Sequence, residues 1–155
     1  MLILLVLTTI ILAQSKQKVV RLSAEIEAWL EGDRQKALEL LLVKEKSGNP
    51  EITTLYNIGY LYFLQGDFTK ALSYFQTVIE QESDFTYSYL QMARIHKKAG
   101  FIHAAHDDLK RGLEEEDDNI DLILEMAKIT KELKQIKKTE GLYNRALDID
   151  EDNVP

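Results

Sequence analysis

Two of the three histidines lie where they could share a metal ion. His103 and His106 are three residues apart, so on a helix their side chains would share one face near Asp107, a spacing compatible with metal binding. The pattern specifies no third ligand, and His96 falls at a position typical of helix packing. Surface or interhelical histidines are therefore the favoured interpretation, and we predict no metal and no cofactor.

A second candidate metal site lies near the carboxyl end. Asp148, Asp150 and Asp152 alternate as at the opening of a calcium-binding loop. Asn153 stands where that loop needs its sharp-turn glycine, and no bidentate glutamate follows. We therefore reject a calcium loop.

An acidic run from Glu114 to Asp118 could act in acid–base chemistry through pairs such as Glu115 and Asp118. Nothing in the sequence predicts a pocket around it or a cause for shifted pKa values, so a solvated loop is favoured. The sequence also lacks a glycine-rich phosphate loop, a nucleophile elbow and a metalloprotease helix motif. It therefore predicts a protein that is not an enzyme.

The composition indicates what kind of fold would position such residues. The 155 residues are 45% hydrophobic and include only two prolines and seven glycines, which favours long helices in one domain or one array of repeats. The net charge of -7 argues against a nucleic-acid partner, because phosphate binding needs clustered basic residues. Cysteine is absent, so disulfides and thiolate chemistry are excluded.

The amino terminus contains an apolar run, Leu2 to Ala13, that is shorter than the span of about 20 residues a membrane helix needs. It is similar to the core of a signal peptide, with a cleavage pattern that ends at Ser15 and a weaker one at Ala13, although no basic residue precedes it. We expect residues 1–15 to be a signal peptide, and the protein to be exported to a bacterial periplasm or envelope. An apolar helix packed on the next segment and an uncleaved membrane anchor are the alternatives.

Glycines recur at a constant interval along the rest of the chain. Gly32, Gly66 and Gly100 are evenly spaced, and Lys134 takes the next place at the same interval. We assign this column to the tight turn between two helices, where glycine readily adopts a positive φ. We number the residues of each repeating unit so that this column is position 15. The chain then divides into four units of equal length, at residues 18–51, 52–85, 86–119 and 120–153.

Three further columns of this register predict core positions between neighbouring helices. Position 20 is small, and positions 7 and 24 are mainly large and apolar. The position-20 residues are Ala37, Ala71, Ala105 and Thr139, those at position 24 are Leu41, Phe75, Leu109 and Tyr143, and those at position 7 are Ala24, Ile58, Met92 and Met126.

The second unit resembles the tetratricopeptide repeat nearly position for position. It carries Leu55-Tyr56-Asn57-Ile58-Gly59, then Tyr62-Phe63, Gly66-Asp67-Phe68, Ala71 and Phe75. The fourth unit has the usual ending except for Glu151 in place of a proline, and the first and third depart further, at Glu25, Ala93 and His96. The resemblance covers residues 18–153 and implies an all-α fold, a right-handed α-solenoid of antiparallel helix pairs with a concave groove.

In this family the groove is lined mainly by positions 2, 5, 9, 12 and 13 of each first helix, which defines the candidate binding residues. The first two units would supply an apolar and aromatic half, and the last two a basic half. The apolar half is Leu22, Ile26, Trp29, Tyr56, Tyr60 and Phe63, and the basic half is Arg94, Lys97, Lys98, Lys128 and Lys131. An alternative is that the aromatic residues belong to the general repeat pattern and the lysines are merely solvated.

One known mode of binding in this family is excluded by the residues present. Asn57 matches a clamp that holds a chaperone's terminal carboxylate, but Leu22 and Ile26 replace its lysine and asparagine. Tyr87 and Gln91 stand where its remaining basic groups would be. Chaperone-tail binding is therefore not predicted.

We predict a non-catalytic scaffold or adaptor that binds a protein or peptide, with apolar and acidic segments, in the groove of a tetratricopeptide array. The alternative is a docking or sensing arm of a larger protein, such as an enzyme or envelope complex. Repeat arrays usually need a capping helix, so a partner, self-association or further chain beyond Pro155 would cover the carboxyl end. Membrane contact is expected only through an uncleaved N-terminal segment.

Overall fold

The structure, a computed structural model, describes residues 24–152, and every regular element among them is an α-helix. None of these helices is long and apolar enough to span a membrane. The segment predicted to be a signal peptide lies outside the described residues. The helices are α1 (Ala24–Leu30), α2 (Arg34–Lys46), α3 (Ile52–Gln65), α4 (Phe68–Gln81), α5 (Thr86–Lys98), α6 (Ile102–Glu115), α7 (Ile120–Glu132) and α8 (Ile136–Asp152).

The chain forms two compact units, residues 1–37 and 38–155. The described part of the first unit holds α1 and the start of α2. The second unit holds the rest of α2 and three helical hairpins, α3 with α4, α5 with α6 and α7 with α8. The first helices of these hairpins begin at Ile52, Thr86 and Ile120, which are separated by the same interval as the glycines.

A left-handed residue closes each first helix of the second unit. Gly66 has φ 83°, and its N–H donates to the Phe63 carbonyl at 3.1 Å while that of Asp67 donates to the Tyr62 carbonyl at 2.9 Å. These two bonds satisfy carbonyls that the end of a helix leaves unpaired. The Asp67 side chain then accepts from the N–H of Lys70 at 3.2 Å and caps α4.

The same turn recurs at the other position-15 residues. Gly32 has φ 81° and Gly100 has φ 84°, as predicted. Lys134 adopts φ 59°, so the turn is kept where the sequence has no glycine. Its N–H donates to the Lys131 carbonyl at 3.0 Å, and the N–H of Gln135 donates to Thr130 at 2.9 Å.

The core of the second unit follows the predicted columns with one exception. Ala71, Phe75, Ala105 and Leu109 have no exposed surface, and the position-7 residues Ile58, Met92 and Met126 are also buried. Tyr143 was expected to be buried but is 38% exposed, because no further helix of the described chain packs on the outer side of α8. In the first unit Ala37 is buried, whereas Ala24 is exposed and its assignment to the core was wrong.

Consecutive hairpins approach closely. A Cβ added at Gly112 on α6 would lie 2.9 Å from Cδ1 of Leu122 on α7 and 3.0 Å from Cβ of Tyr89 on α5. A Cβ at this position would force the Leu122 methyl and the Tyr89 side chain to shift, so glycine favours the close approach of these three helices. Gly112 thereby lets α6 lie close to both α5 and α7.

Candidate functional site

Polar contacts connect the first helices of the three hairpins. Gln91 Nε2 on α5 donates to the Tyr56 hydroxyl on α3 at 3.3 Å. Arg94 on α5 lies 3.8 Å from Glu125 on α7, the distance between Nη2 and Oε1. The residues predicted to line a groove in the second unit therefore lie on neighbouring helices. We call this surface the first-helix face, and define it by Tyr56, Tyr60, Phe63, Arg94, Lys97, Lys98, Lys128 and Lys131.

An aromatic row occupies the α3 part of the first-helix face. The ring centroids of Tyr56 and Tyr60 are 6.2 Å apart, those of Tyr60 and Phe63 are 6.0 Å apart, and both pairs are stacked. Phe68, at the start of α4, extends the row with a centroid 6.0 Å from Phe63. All four side chains are half-buried, so each keeps exposed ring surface that could contact a partner's apolar groups.

Tyr56 also belongs to the packing beneath the face. Its ring centroid lies 5.5 Å from that of Phe75 and 5.1 Å from that of Phe85. Burial raises the pKa of the Tyr56 hydroxyl above 10.0, although the hydrogen bond from Gln91 lowers it. The hydroxyl is therefore protonated at neutral pH and can donate to an acceptor on a ligand.

The basic part of the face is partly neutralised by carboxylates. Lys97 Nζ is 2.9 Å from Glu132 Oε1, and Lys128 Nζ is 2.8 Å from the same Glu125 oxygen that faces Arg94. These ion pairs are partly exposed. Ion pairs at a protein surface contribute about 0–1 kcal/mol each, so a carboxylate on a partner could displace them. The five basic residues of the face outnumber these two glutamates.

One contact joins the aromatic and basic parts. Lys98 Nζ lies 5.3 Å from the centroid of the Phe68 ring, a cation–π distance. Lys131 is exposed in the last turn of α7. Apolar and cationic groups thus lie side by side on the first-helix face.

The remaining predicted site residues belong to the first compact unit. Leu22 lies outside the described residues, and the side chain of Ile26 is likewise not described. Trp29 is half-buried on α1. Their assignment to a binding surface stays a prediction.

Sequence reasoning missed several residues that shape the face. Glu125 and Glu132 are the carboxylates that pair with its basic groups, and Glu132 occupies position 13, one of the columns assigned to the groove. The presence of Glu132 on the face could therefore have been predicted from its position in the sequence. Gln91, Phe68 and Phe85 lie outside those columns, so only the packed structure reveals their contacts.

The histidines are distributed as helix-packing and surface residues. His96 Nδ1 lies 2.6 Å from Asp108 Oδ2 and so connects α5 to α6. His106 Nδ1 is 3.4 Å from Asp107 Oδ1, and His103 is exposed. Between residues 24 and 152 no group of three or more His, Cys, Asp or Glu side chains could hold a metal ion.

The family model for the tetratricopeptide repeat matches residues 52–85, the hairpin of α3 and α4. No curated protein matches the sequence. Solved structures resemble the fold at low sequence identity, and three of them are similar over 84% of this chain.

A crystal structure of MamA has a TM-score of 0.73 at 15% identity, with 76% of its own chain covered. YrrB, described as a tetratricopeptide repeat protein with an unusual peptide-binding site, has a TM-score of 0.68 at 16% identity and 67% coverage of its chain. A tetratricopeptide repeat protein from Parabacteroides merdae has a TM-score of 0.74 at 19% identity, with 52% of its own chain covered. The described residues are thus all-helical and share the fold of tetratricopeptide repeat proteins, and residues 52–85 match the tetratricopeptide repeat model.

Proposed function

We propose that the protein is a non-catalytic scaffold that binds a peptide or protein segment on its first-helix face. A tetratricopeptide fold supports a role in protein–protein interaction in general. The observation that carries the specific proposal is the continuous surface in which an aromatic row borders a basic cluster through Lys98 and Phe68. The peptide-binding site described for YrrB agrees with this class of ligand.

The two parts of the face would make different contributions to binding. Apolar side chains of the partner would pack on Tyr60 and Phe63, since aromatic anchors commonly carry most of the energy of an interface. Acidic side chains would pair with Lys97, Lys128 and Lys131 and mainly affect the association rate and the specificity. The proposed ligand is therefore a segment with an apolar part and an acidic part.

The experiment uses peptides selected from a random library against the full chain. Selected sequences should combine aromatic or aliphatic residues with Asp or Glu, and affinity should fall as salt screens the charges. Tyr60→Ala should weaken binding about tenfold or more, the loss expected for a central aromatic anchor. Lys131→Glu should weaken it and make it less sensitive to salt.

Two matched variants control for general effects of composition and charge. Phe101→Ala removes an aromatic side chain that is 64% exposed in the turn before α6, and Lys110→Glu reverses an exposed charge on α6. Both should bind as the wild type does. The proposal would be wrong if Tyr60→Ala and Lys131→Glu bound the selected peptides as tightly as these controls.

The protein's location is part of the proposal. The apolar segment Leu2 to Ala13 supports export to a bacterial periplasm or envelope by the physical logic of signal peptides. Cell fractionation combined with sequencing of the mature amino terminus tests this. Recovery in the cytoplasmic fraction with the segment intact would refute export.

The alternative is a docking arm of a larger protein. It is supported by the apolar side chains that α8 leaves exposed, among them Leu147, which is 59% exposed. Determining the full reading frame at the genomic locus distinguishes the two. A frame that continues past Pro155 into another folded domain would favour the docking arm.

A further inference from the structure

The outer side of α8 exposes positions that are covered in the other hairpins. At position 24, Phe75 on α4 and Leu109 on α6 have no exposed surface, whereas Tyr143 on α8 is 38% exposed. At position 28, Ile79 is 5% exposed, Leu113 is half-buried and Leu147 is 59% exposed. The same columns are therefore buried or half-buried in the preceding hairpins and exposed in the last.

In both covered cases the covering element is a helix with regularly spaced apolar residues. Against Phe75 and Ile79, α5 packs Tyr89, Met92 and Ile95. Against Leu109, α7 packs Leu122, Met126 and Ile129, which are spaced at i, i+4 and i+7. A helix with this spacing is the element that fits the corresponding surface of α8.

That surface forms a concave site between α7 and α8. A cavity of about 450 Å³ is lined by residues from both helices, and its floor includes Ala146, which is only 6% exposed. We call this surface the end face and define it by its five lining residues. They are Ile120, Leu124, Tyr143, Ala146 and Leu147.

The sequence of α8 that follows the end-face residues is acidic. The carboxyl end of α8 carries Asp148, Asp150, Glu151 and Asp152, and its last turn has no basic residue. Carboxylates at a helix carboxyl terminus are unfavourable, because they add to the negative end of the helix dipole. A basic partner would relieve this repulsion.

The preceding hairpin junction provides an example of such pairing within the chain. Arg145 Nη2 on α8 lies 3.6 Å from Asp117 Oδ2, just after α6, and also donates to the Asp117 backbone carbonyl. Asp117 and Glu151 are separated by one repeat interval and so hold the same repeat position. By this correspondence in the sequence, a basic group on an added element would complement the acidic end of α8.

A second copy of the chain is a poor candidate for this surface. In a head-to-tail contact between two copies, the helix that would meet the end face is α1, but its position-10 residue is Glu27, and Glu25 and Glu27 make its first turn acidic. Stacking α1 on the end face would place these carboxylates near the acidic end of α8. Like charges oppose that contact.

From these observations we propose that the end face binds an amphipathic helix of a different polypeptide, with apolar residues at i, i+4 and i+7 and flanking Lys or Arg residues. The end face shares no residue with the first-helix face as defined above, and binding there does not require a ligand on that face. The protein would thereby connect two partners of opposite charge, a step that rests on the proposed function of the first-helix face. An acidic segment would bind the first-helix face and a basic helix would bind the end face.

The test uses two labelled helical peptides with the same apolar residues as α7 at the positions of Leu122, Met126 and Ile129. One carries lysines at the flanking positions and the other carries glutamates. Fluorescence anisotropy with the full chain should show saturable binding of the lysine peptide, about tenfold or more tighter than that of the glutamate peptide, a difference of about 1.4 kcal/mol. The difference should shrink at high salt.

Two variants of α8 locate the binding. Leu147→Lys should reduce the affinity of the lysine peptide about tenfold or more, because it puts a like charge into the apolar site. Ile136→Lys is the matched control, since Ile136 is also 59% exposed on α8 but does not line the end face. Lys131→Glu, which impairs the first-helix face, should leave the peptide's affinity unchanged.

Each other outcome would overturn the proposal. Absence of binding at peptide concentrations up to about 1 mM, the weakest affinity of interest, would rule out a helix-binding site. Equal affinity of the two peptides would refute the basic partner, and equal effects of Leu147→Lys and Ile136→Lys would refute the location. A wild-type dimer in sedimentation that Leu147→Lys dissociates would assign the end face to a second copy instead.

Discussion

At the scale of single residues, Lys134 occupies a backbone conformation that disfavours its side chain. Its φ of 59° costs an L-residue about 1–2 kcal/mol relative to the usual helical region, and glycine avoids this cost. We expect Lys134→Gly to raise the free energy of unfolding by about 1 kcal/mol, with part of the gain lost to the greater freedom of glycine in the unfolded chain. Urea denaturation measures the change.

The matched control places the same substitution inside a helix. Lys110→Gly on α6 should lower the free energy of unfolding by about 1 kcal/mol, because glycine is a poor helix former. If Lys134→Gly were as destabilising as Lys110→Gly, the left-handed turn would not be a source of strain.

The His96 and Asp108 pair predicts a pH dependence. Burial raises the pKa of Asp108 above its ordinary value of 3.8, and the hydrogen bond and charge of His96 only partly offset this. A carboxyl group whose pKa rises on folding stabilises the protein when protonated. Its contribution is complete below the pKa of the unfolded chain, about 4, and is lost as the pH rises through the folded-state pKa.

Asp108→Asn removes this titration while keeping a side chain of similar shape. The free energy of unfolding of the wild type minus that of the variant should therefore fall as the pH rises from about 3 through the raised pKa of Asp108. Denaturant titrations across that range measure it. A difference that rose with pH would mean that His96, rather than burial, dominates the Asp108 carboxyl.

At the scale of helices, burial of the same type of side chain differs between hairpins. Leu109 on α6 is fully buried, whereas Leu147 on α8 is 59% exposed. Leu109→Ala should cost about 2–5 kcal/mol of unfolding free energy, and Leu147→Ala should change it by less than about 1 kcal/mol. Chemical denaturation of the two variants gives the comparison, and similar losses would contradict the packing described for α8.

The turns and most core columns could be predicted because they follow from local rules. A residue near position 15 must close the first helix, and alanine at position 20 permits close packing, so spacing alone identifies Gly66 and Ala71. Tyr143 shares its column with Phe75, but its burial depends on whether another helix follows. The pairing of Lys97 with Glu132 depends on how two helices lie against each other, which periodicity does not specify.

At the scale of the whole molecule, protection from hydrogen exchange should vary along the chain. In the second unit α5 contacts the helices on both sides of it, α4 and α6, whereas within the described residues α8 packs mainly on α7 and no helix packs on its other side. Amides of α8 should therefore exchange faster than those of α5, because one face of α8 lacks stabilising contacts. Mass spectrometry of exchanged peptides measures this, and equal protection would imply that α8 is covered in solution.

Contacts between the hairpins also determine how the molecule would respond to tension. Within the described residues of the second unit, the hairpin of α3 and α4 contacts that of α5 and α6, and the latter contacts that of α7 and α8, but the first and third do not touch. Because no single core joins all three hairpins, a pulling force would act on each junction between neighbouring hairpins in turn. Stretched between its ends, the protein would yield hairpin by hairpin, beginning where α8 is supported from one side only.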